Sequence, residues 1–134
     1  MAHRVKALAE YRPRIAPSRP CEMMELARYL SDRTGLHVTQ VRFILGELQA
    51  GVLNFTRAGR AVRLEGLGTF TPGIDLEGKI SINHRPDVAL TNALNTPGFF
   101  EGDIIHRDNI GKQMDDLVGL WNEEHPEDLL PTEG

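Results

Sequence analysis

The 134-residue chain has few of the residues that cross-link a protein or anchor it in a membrane. Its one cysteine, Cys21, cannot form a disulfide within the chain, and cysteine-poor chains are typical of reducing compartments. No run of about 18 apolar residues occurs, so we expect no membrane partner. The first residues, MAHRVKALAEYRPRIAP, carry charges throughout and lack the apolar core of a signal peptide. We therefore predict a cytoplasmic protein.

Patterns typical of catalytic and metal sites are also missing. The 5 histidines show no pairing at metal-ligand spacing, and one cysteine cannot make a zinc site. The adjacent acids Asp115 and Asp116, like Glu123 and Glu124, diverge on a helix and do not form an acid–base pair. We expect no enzyme, no metal and no cofactor.

Charge is present in quantity but is unevenly distributed. Residues 1–63 hold 11 Lys and Arg against 5 Asp and Glu, whereas residues 64–134 hold 4 against 14. The basic half can bind a polyanion while the acidic half has a different role. The alternative is that the acidic tail is a solubilising flank. The net charge of −4 counts against nucleic-acid binding, for which a basic domain is usual.

The first half of the chain predicts an arm followed by two helices. Prolines at 13 and 17 exclude a long continuous helix there, so residues 1–19 are expected to form a basic extended arm or edge strand. A helix is predicted from near Pro20 to Gly35. A second helix is predicted from an N-cap at Thr39 to Gly59, because apolar residues recur at helical spacing.

The second half predicts strands and two further helices. Alternation around Val62, at Thr69-Phe70 and at residues 80–82 indicates β-strands, with a turn over 75–78. A short helix is predicted over 86–95, followed by a break at Thr96-Pro97-Gly98. A tail helix over 112–124 places Leu117, Val118 and Trp121 on one face, which we interpret as a docking face for a possible protein partner.

Three glycines and a proline interrupt the strand region. Gly66, Gly68 and Gly73 can adopt positive φ, and Pro72 has no backbone N–H to donate to a hydrogen bond. These residues could serve a phosphate loop, a sheet corner or the base of a hairpin. The stretch GLGTFT lacks a third glycine and precedes strand-like sequence, so it does not match the dinucleotide-binding fingerprint.

One set of residues carries a family resemblance. The stretch AGRAVRLEGLGTF over 58–70, the stretch HRPD over 84–87 and the order of elements over 20–95 resemble the HU/IHF family of bacterial nucleoid-associated, histone-like DNA-binding proteins. In that family the first stretch contains G-F-G-T-F, so Leu67 replaces the usual phenylalanine. His84 replaces another family aromatic, and we expect it to be a packed residue and not a ligand.

The resemblance implies an α+β, HU/IHF-like fold. Its expected parts are an N-terminal helical hairpin, a three-stranded antiparallel sheet with a shortened β-arm and a short helix, in an intertwined dimer. We predict three segments: a basic arm over 1–19, the HU/IHF-like domain over 20–95 and an acidic extension with one helix over 96–134. Gly66 and Gly68 would turn the sheet at the saddle between subunits, and Pro72 and Gly73 would lie at the hairpin root.

The resemblance also implies non-sequence-specific binding of double-stranded DNA in the nucleoid, through a basic saddle on a homodimer. The expected phosphate contacts are Arg85, Lys79, Arg63, Arg60, Arg57, Arg14 and Arg12, although each could instead be an ordinary solvated side chain. The expected dimer interface is Phe43, Leu48, Phe55, Leu67 and Phe70.

The hairpin departs from the family pattern. Its tip, Asp75–Gly78, is acidic and has no proline wedge, so we expect little intercalation. The alternative hypothesis is a dimerisation or protein-interaction module of HU-like fold that has lost DNA binding.

Overall fold

The computed structural model describes residues 4–131 and divides them into two compact units. Residues 19–100 form one unit. Residues 4–18 and 101–131, from the two ends of the chain, form the other, which we call the end-built unit. The three consecutive segments expected from the sequence stay a prediction.

Two helices open the unit over 19–100. Helix α2 spans Met23–Thr34 and ends at Gly35, whose φ of 77° is the left-handed conformation that glycine adopts readily. Helix α3 spans Val38–Thr56. Its N-cap is His37 and not the predicted Thr39, because His37 Nδ1 accepts the Thr39 N–H at 3.1 Å. Gln40 completes the cap by accepting the His37 N–H through Oε1 at 3.3 Å.

A three-stranded antiparallel sheet follows the helices, as predicted. Its strands are β2 (Val62–Leu64), β3 (Gly68–Ile74) and β4 (Ile80–Pro86), in the order β2-β3-β4. The pairing of β3 with β4 runs without interruption from Gly68 opposite Pro86 to Ile74 opposite Ile80.

Pro72 and Gly73 lie within β3, just beyond the point at which the three-stranded sheet narrows to the two-stranded hairpin. Strand β2 pairs with β3 only as far as Phe70. Beyond that point β3 has β4 alone as its neighbour, so the missing N–H of Pro72 removes no bond to β2.

Gly68 is the tightest position in this sheet. A Cβ atom there would lie 2.5 Å from the Arg85 carbonyl oxygen and 2.7 Å from His84 Nε2. Its φ of 148° also disfavours other residues. Helix α4, Val88–Leu94, begins directly after the sheet, with the Asp87 carboxylate accepting the Ala89 N–H at 2.8 Å.

The first described residues form a helix where we expected an extended arm or edge strand, and a short strand follows the helix. Residues Arg4–Tyr11 form helix α1, which ends just before Pro13, and Arg14–Ile15 form strand β1. Strand β1 pairs antiparallel with β5 (Ile104–Ile105), and a 3-10 turn over Arg107–Asn109 leads toward helix α5 (Met114–Glu124). Pro13 prevents α1 from continuing toward β1 but does not prevent the helix from forming.

Helix α1 packs against α5, and this contact forms the core of the end-built unit. The buried apolar residues of this core are Ala7, Tyr11, Leu117, Val118 and Leu130. Trp121 is half-buried beside them, and its Nε1 donates to the Asp128 carbonyl oxygen at 2.8 Å. The face of α5 that we had interpreted as a docking face is therefore occupied largely by the N-terminal helix of the same chain.

Polar contacts also join the two ends of the chain. Tyr11 Oη donates to Glu124 Oε2 at 2.6 Å, and Asn109 Nδ2 donates to the Tyr11 carbonyl oxygen at 2.7 Å. Lys6 pairs with Asp128 at 2.8 Å. Part of the opposite charge on the two halves of the sequence is thus paired within this unit.

We predict that Gly68→Ala lowers the free energy of unfolding by about 2 kcal/mol or more, because backbone atoms of β4 block the added methyl group. Gly73→Ala is the matched control. Gly73 lies in the same strand, has open space at its Cβ position and should change stability by less than about 0.5 kcal/mol. Urea denaturation followed by far-UV circular dichroism measures the stability of both variants. An equal loss of stability in the two would contradict the close approach of Gly68 to the backbone of β4.

We predict that the stability of the end-built unit depends on pH through the ionisation of Tyr11. Burial raises the pKa of Tyr11 from 10.0 to about 12, helped by its hydrogen bond to Glu124 and by nearby negative charge. A raised pKa means that folding favours the neutral phenol. This stabilisation is fully present below pH 10 and is lost as the pH rises through 12.

Tyr11→Phe is the control for that dependence. Fluorescence of the single tryptophan, Trp121, reports unfolding of the end-built unit. The stability difference between wild type and Tyr11→Phe, about 1 kcal/mol at pH 9, should shrink as the pH approaches 12. A difference that stays constant over this range would show that Tyr11 is not the titrating group.

Candidate nucleic-acid interface

The β3–β4 hairpin has one polar and one apolar face. Residues directly opposite each other on antiparallel strands project to the same side, and successive residues alternate. The register therefore separates two sets. The polar hairpin face carries Thr69, Thr71, Ser81, Asn83 and Arg85, and the apolar hairpin face carries Phe70, Pro72, Ile74, Ile80 and Ile82.

Two of the predicted phosphate contacts lie in one row across the polar face. Arg63 of β2 is opposite Thr69 of β3, and Thr69 is opposite Arg85 of β4. We call Arg63, Thr69 and Arg85 the arginine row. Since neighbouring strands lie about 4.8 Å apart, the two arginine backbones are about 10 Å apart. Both arginines are exposed, so two positive charges flank a hydroxyl group on an accessible surface.

Helix α3 lies on the other side of the sheet. Its end, at Thr56, lines a groove together with Pro72, Ile74 and Ile80 of the apolar hairpin face. Phe70 on the same face contacts His84, with ring centroids 4.5 Å apart, although His84 is exposed as a whole. The arginine row therefore points away from α3.

Three other predicted contacts in this unit lie outside the row. Arg57 is the C-cap of α3 and lines the groove beside Ile74, and the Arg60 guanidinium stacks 5.2 Å from the centre of the Phe55 ring. Lys79 lies in the hairpin turn, one residue before β4 begins. The unit over 19–100 thus brings together Arg63 and Arg85 and places Arg57, Arg60 and Lys79 elsewhere.

Arg12 and Arg14 belong to the end-built unit. Arg12 follows helix α1, and Arg14 lies in β1 opposite Ile105. Both side chains are exposed. Their predicted phosphate contacts stay a prediction.

The acidic tip of the hairpin owes its shape to one of its two acids. Asp75 Oδ1 accepts the N–H groups of Glu77 at 3.0 Å and Lys79 at 2.9 Å. Gly78, with a φ of 84°, supplies the left-handed position of the turn. One carboxylate thus closes the turn, while Leu76 and Glu77 project into solvent.

The two units also differ in net charge, although less than the two halves of the sequence do. Residues 19–100 contain 9 Lys and Arg and 8 Asp and Glu, a net charge of +1. Residues 1–18 and 101–134 contain 6 and 11, a net charge of −5. The excess of acid in the whole chain therefore comes from its ends, and the unit with the arginine row is weakly basic.

Helix α3 has more apolar surface than its own unit covers. Val41 and Thr56 are buried and Leu45 and Val52 are half-buried, which defines the face toward the rest of the unit. A neighbouring face exposes apolar side chains at spacings of four and seven residues. This exposed α3 face consists of Ile44, Leu48 and Phe55, with Gly51 between them.

The predicted dimer-interface residues do not share one face. Leu48 and Phe55 lie on the exposed α3 face, while Phe43, 68% exposed, lies about 140° around the helix from Leu48. Leu67 is exposed in the turn between β2 and β3. Phe70 is half-buried on the side of the sheet that faces α3.

Sequence reasoning missed Ile44 at the apolar surface and Thr69 and Asn83 on the polar face. Ile44 was recognised as part of the helical pattern but not assigned to an interface. The alternation Ile80-Ser81-Ile82-Asn83-His84-Arg85 is visible in the sequence. Only the register, however, shows that Arg63 and Arg85 flank the same threonine.

The described residues give no sign of a metal site or a membrane span. Over 4–131, no group of three or more His, Cys, Asp or Glu side chains is placed to hold a metal ion. Within the same range, no helix combines the length and apolarity needed to cross a bilayer.

Comparison with known protein families gives a match. A family model described as HU-HIG, an HU domain fused to a wHTH, Ig or glycine-rich motif, matches residues 4–92, about two thirds of the chain. The matched range includes the helices α1, α2 and α3 and the whole β2-β3-β4 sheet. No curated protein gives a significant match.

Proposed function

This chain belongs to the HU-HIG family, and on that premise we propose that it binds double-stranded DNA as a homodimer, through the arginine row and without reading base sequence. The predicted resemblance to HU proteins is confirmed by the family match. At the level of the family, an HU domain indicates a DNA-binding, architectural role. The α+β fold with an antiparallel sheet is compatible with that role.

The observation that carries the proposal is the arginine row. Arg63 and Arg85 lie on the side of the sheet away from α3, on an exposed surface that also offers hydroxyl and amide groups. Arginine, threonine and asparagine side chains are common partners of phosphate oxygens. Phosphate contacts of this kind position a protein on the duplex but carry no sequence information.

Dimerisation is proposed from the shortage of buried apolar residues. Within residues 19–100, all of them described, only Ala27 and Val41 are buried apolar residues. So small a core cannot offset the conformational entropy lost when about 80 residues fold. A second copy packed on the exposed α3 face would cover Ile44, Leu48 and Phe55, and Gly51 would let the two helices approach closely.

A dimer would double the binding surface. Two arginine rows and two weakly basic units, each of net charge +1, would face the duplex. The acidic ends repel phosphates at long range, so we expect modest affinity that falls steeply with salt. The short hairpin and acidic tip favour binding with little intercalation. We propose a binding role without catalysis, in the cytoplasm at the nucleoid.

We predict that Arg63→Ala and Arg85→Ala each weaken DNA binding. Each substitution removes two phosphate contacts from a dimer, so the slope of log K against log salt should become shallower by about 2. Affinity should fall equally for duplexes of unrelated sequence. Fluorescence anisotropy with labelled duplexes at several salt concentrations measures this.

Arg33→Ala is the matched control for those variants. It removes the same charge from the last turn of α2, where the guanidinium lies 5.6 Å from the Tyr29 ring centre. Its salt slope should equal that of the wild type. Equal losses in all three variants, or wild-type binding that ignores salt, would contradict a specific role for the arginine row.

We predict a mass of twice the 15.0 kDa chain at the lowest concentrations at which the protein is folded. A melting temperature that rises with protein concentration should accompany it. Ile44→Glu should reduce the mass toward that of one chain, because it places a charge on the exposed α3 face. Gln49→Glu adds the same charge at an exposed position outside that face and should leave the mass unchanged. Light scattering measures both, and a monomeric wild type would refute the dimer.

A further inference from the structure

Strand β4 is an open edge of the sheet. It lies at one end of the order β2-β3-β4, and all seven of its residues are exposed. An edge strand presents unpaired N–H and C=O groups along one side, which is a template for another strand. Its length matches that of β3, so the open side is as long as the hairpin itself.

Most of this edge lacks the usual protection against pairing. Proteins commonly protect an edge with an internal charge, a bulge or a proline within the strand. Here residues Ile80–Asn83 are uncharged, and the pairing with β3 continues without a bulge. The arginine and the proline of the strand, Arg85 and Pro86, are its last two residues.

We propose that the β4 edges of two copies of this chain pair antiparallel about a two-fold axis at Asn83. This register places Ile82 opposite His84, Ser81 opposite Arg85 and Ile80 opposite Pro86. Each apolar residue then stays on the apolar hairpin face and each polar residue on the polar face. All seven residues of the strand are paired.

Charge selects this register over its neighbours. With the axis at Asn83, Lys79 of each copy lies opposite Asp87 of the other. This gives one ion pair at each end of the paired β4 strands. An axis at Ile82 would instead place Lys79 opposite Arg85, and like charges directly opposite destabilise a strand pair. A shift by one residue would put the apolar side chains of one copy beside the polar side chains of the other.

The consequence, which rests on the proposed dimer, is a chain of dimers. Each dimer would carry two β4 edges, and an interface that each dimer uses twice builds assemblies larger than two copies. The extended sheet would align successive arginine rows, so the partner that fits this edge is a second copy of the protein. Binding to DNA would then be cooperative along the duplex.

Charge substitution at Asn83 tests the pairing without DNA. Asn83 faces its own copy at the axis, so Asn83→Lys and Asn83→Glu each oppose two like charges. Sedimentation velocity at concentrations up to about 100 µM should show species larger than the dimer for wild type. For either variant alone, the association constant between dimers should be roughly tenfold lower.

An equimolar mixture of the two variants should restore the large species, because the introduced ammonium group of one copy would then oppose the introduced carboxylate of the other across the axis. Thr71→Lys is the matched control, since Thr71 lies on the same polar face opposite Asn83 but on the inner strand. It should assemble like wild type. Rescue by mixing is a result that misfolding of either variant cannot produce.

The possible outcomes separate this proposal from the proposed dimer. Asn83 variants that assemble like wild type, whether the wild type is a dimer or larger, would overturn the edge pairing and leave the dimer intact. If Asn83→Lys yields monomers and mixing restores two-chain species, the edge pairing stands and the dimer through α3 fails. A wild type that is always monomeric overturns both.

Discussion

The rest of the structure depends on how little apolar surface the unit over 19–100 buries by itself. Only Ala27 and Val41 are buried apolar residues there, while Ile44, Leu48 and Phe55 on α3 and much of the hairpin remain exposed. Hydrophobic burial is the main favourable contribution to folding, so this unit needs a second surface to complete its core. The same requirement fixes which side of the sheet is left for a ligand. Once the apolar side is directed toward α3, the arginine row lies on the opposite side.

Local sequence signals predicted the central unit well. Helical spacing and Gly35 located α2, and the change to two-residue alternation located β2, β3 and β4. The family resemblance rested on this same region. The error at the start of α3 was small and local, because a histidine ring nitrogen replaced the expected threonine hydroxyl as the capping acceptor.

Contacts between residues distant in sequence set the limit of prediction. Helix α1 is short and would be marginal alone, and its burial depends on α5, more than 100 residues away. Nothing near Arg4–Tyr11 in the sequence indicates that partner. The candidate site shows the same limit, since each arginine could be named from the sequence but their grouping could not. Only strand register shows that Arg63 and Arg85 flank the same residue, Thr69.

The end-built unit has an effect on the other unit that requires no contact between them. Because residues on both sides of 19–100 are held together by α1 and α5, the intervening stretch of about 80 residues is a closed loop whenever the end-built unit is folded. A closed loop has fewer unfolded conformations than a free chain, so its unfolding gains less entropy. The paired chain ends thus resemble a non-covalent cross-link. In a cysteine-poor protein they supply the kind of restraint that a disulfide would otherwise provide.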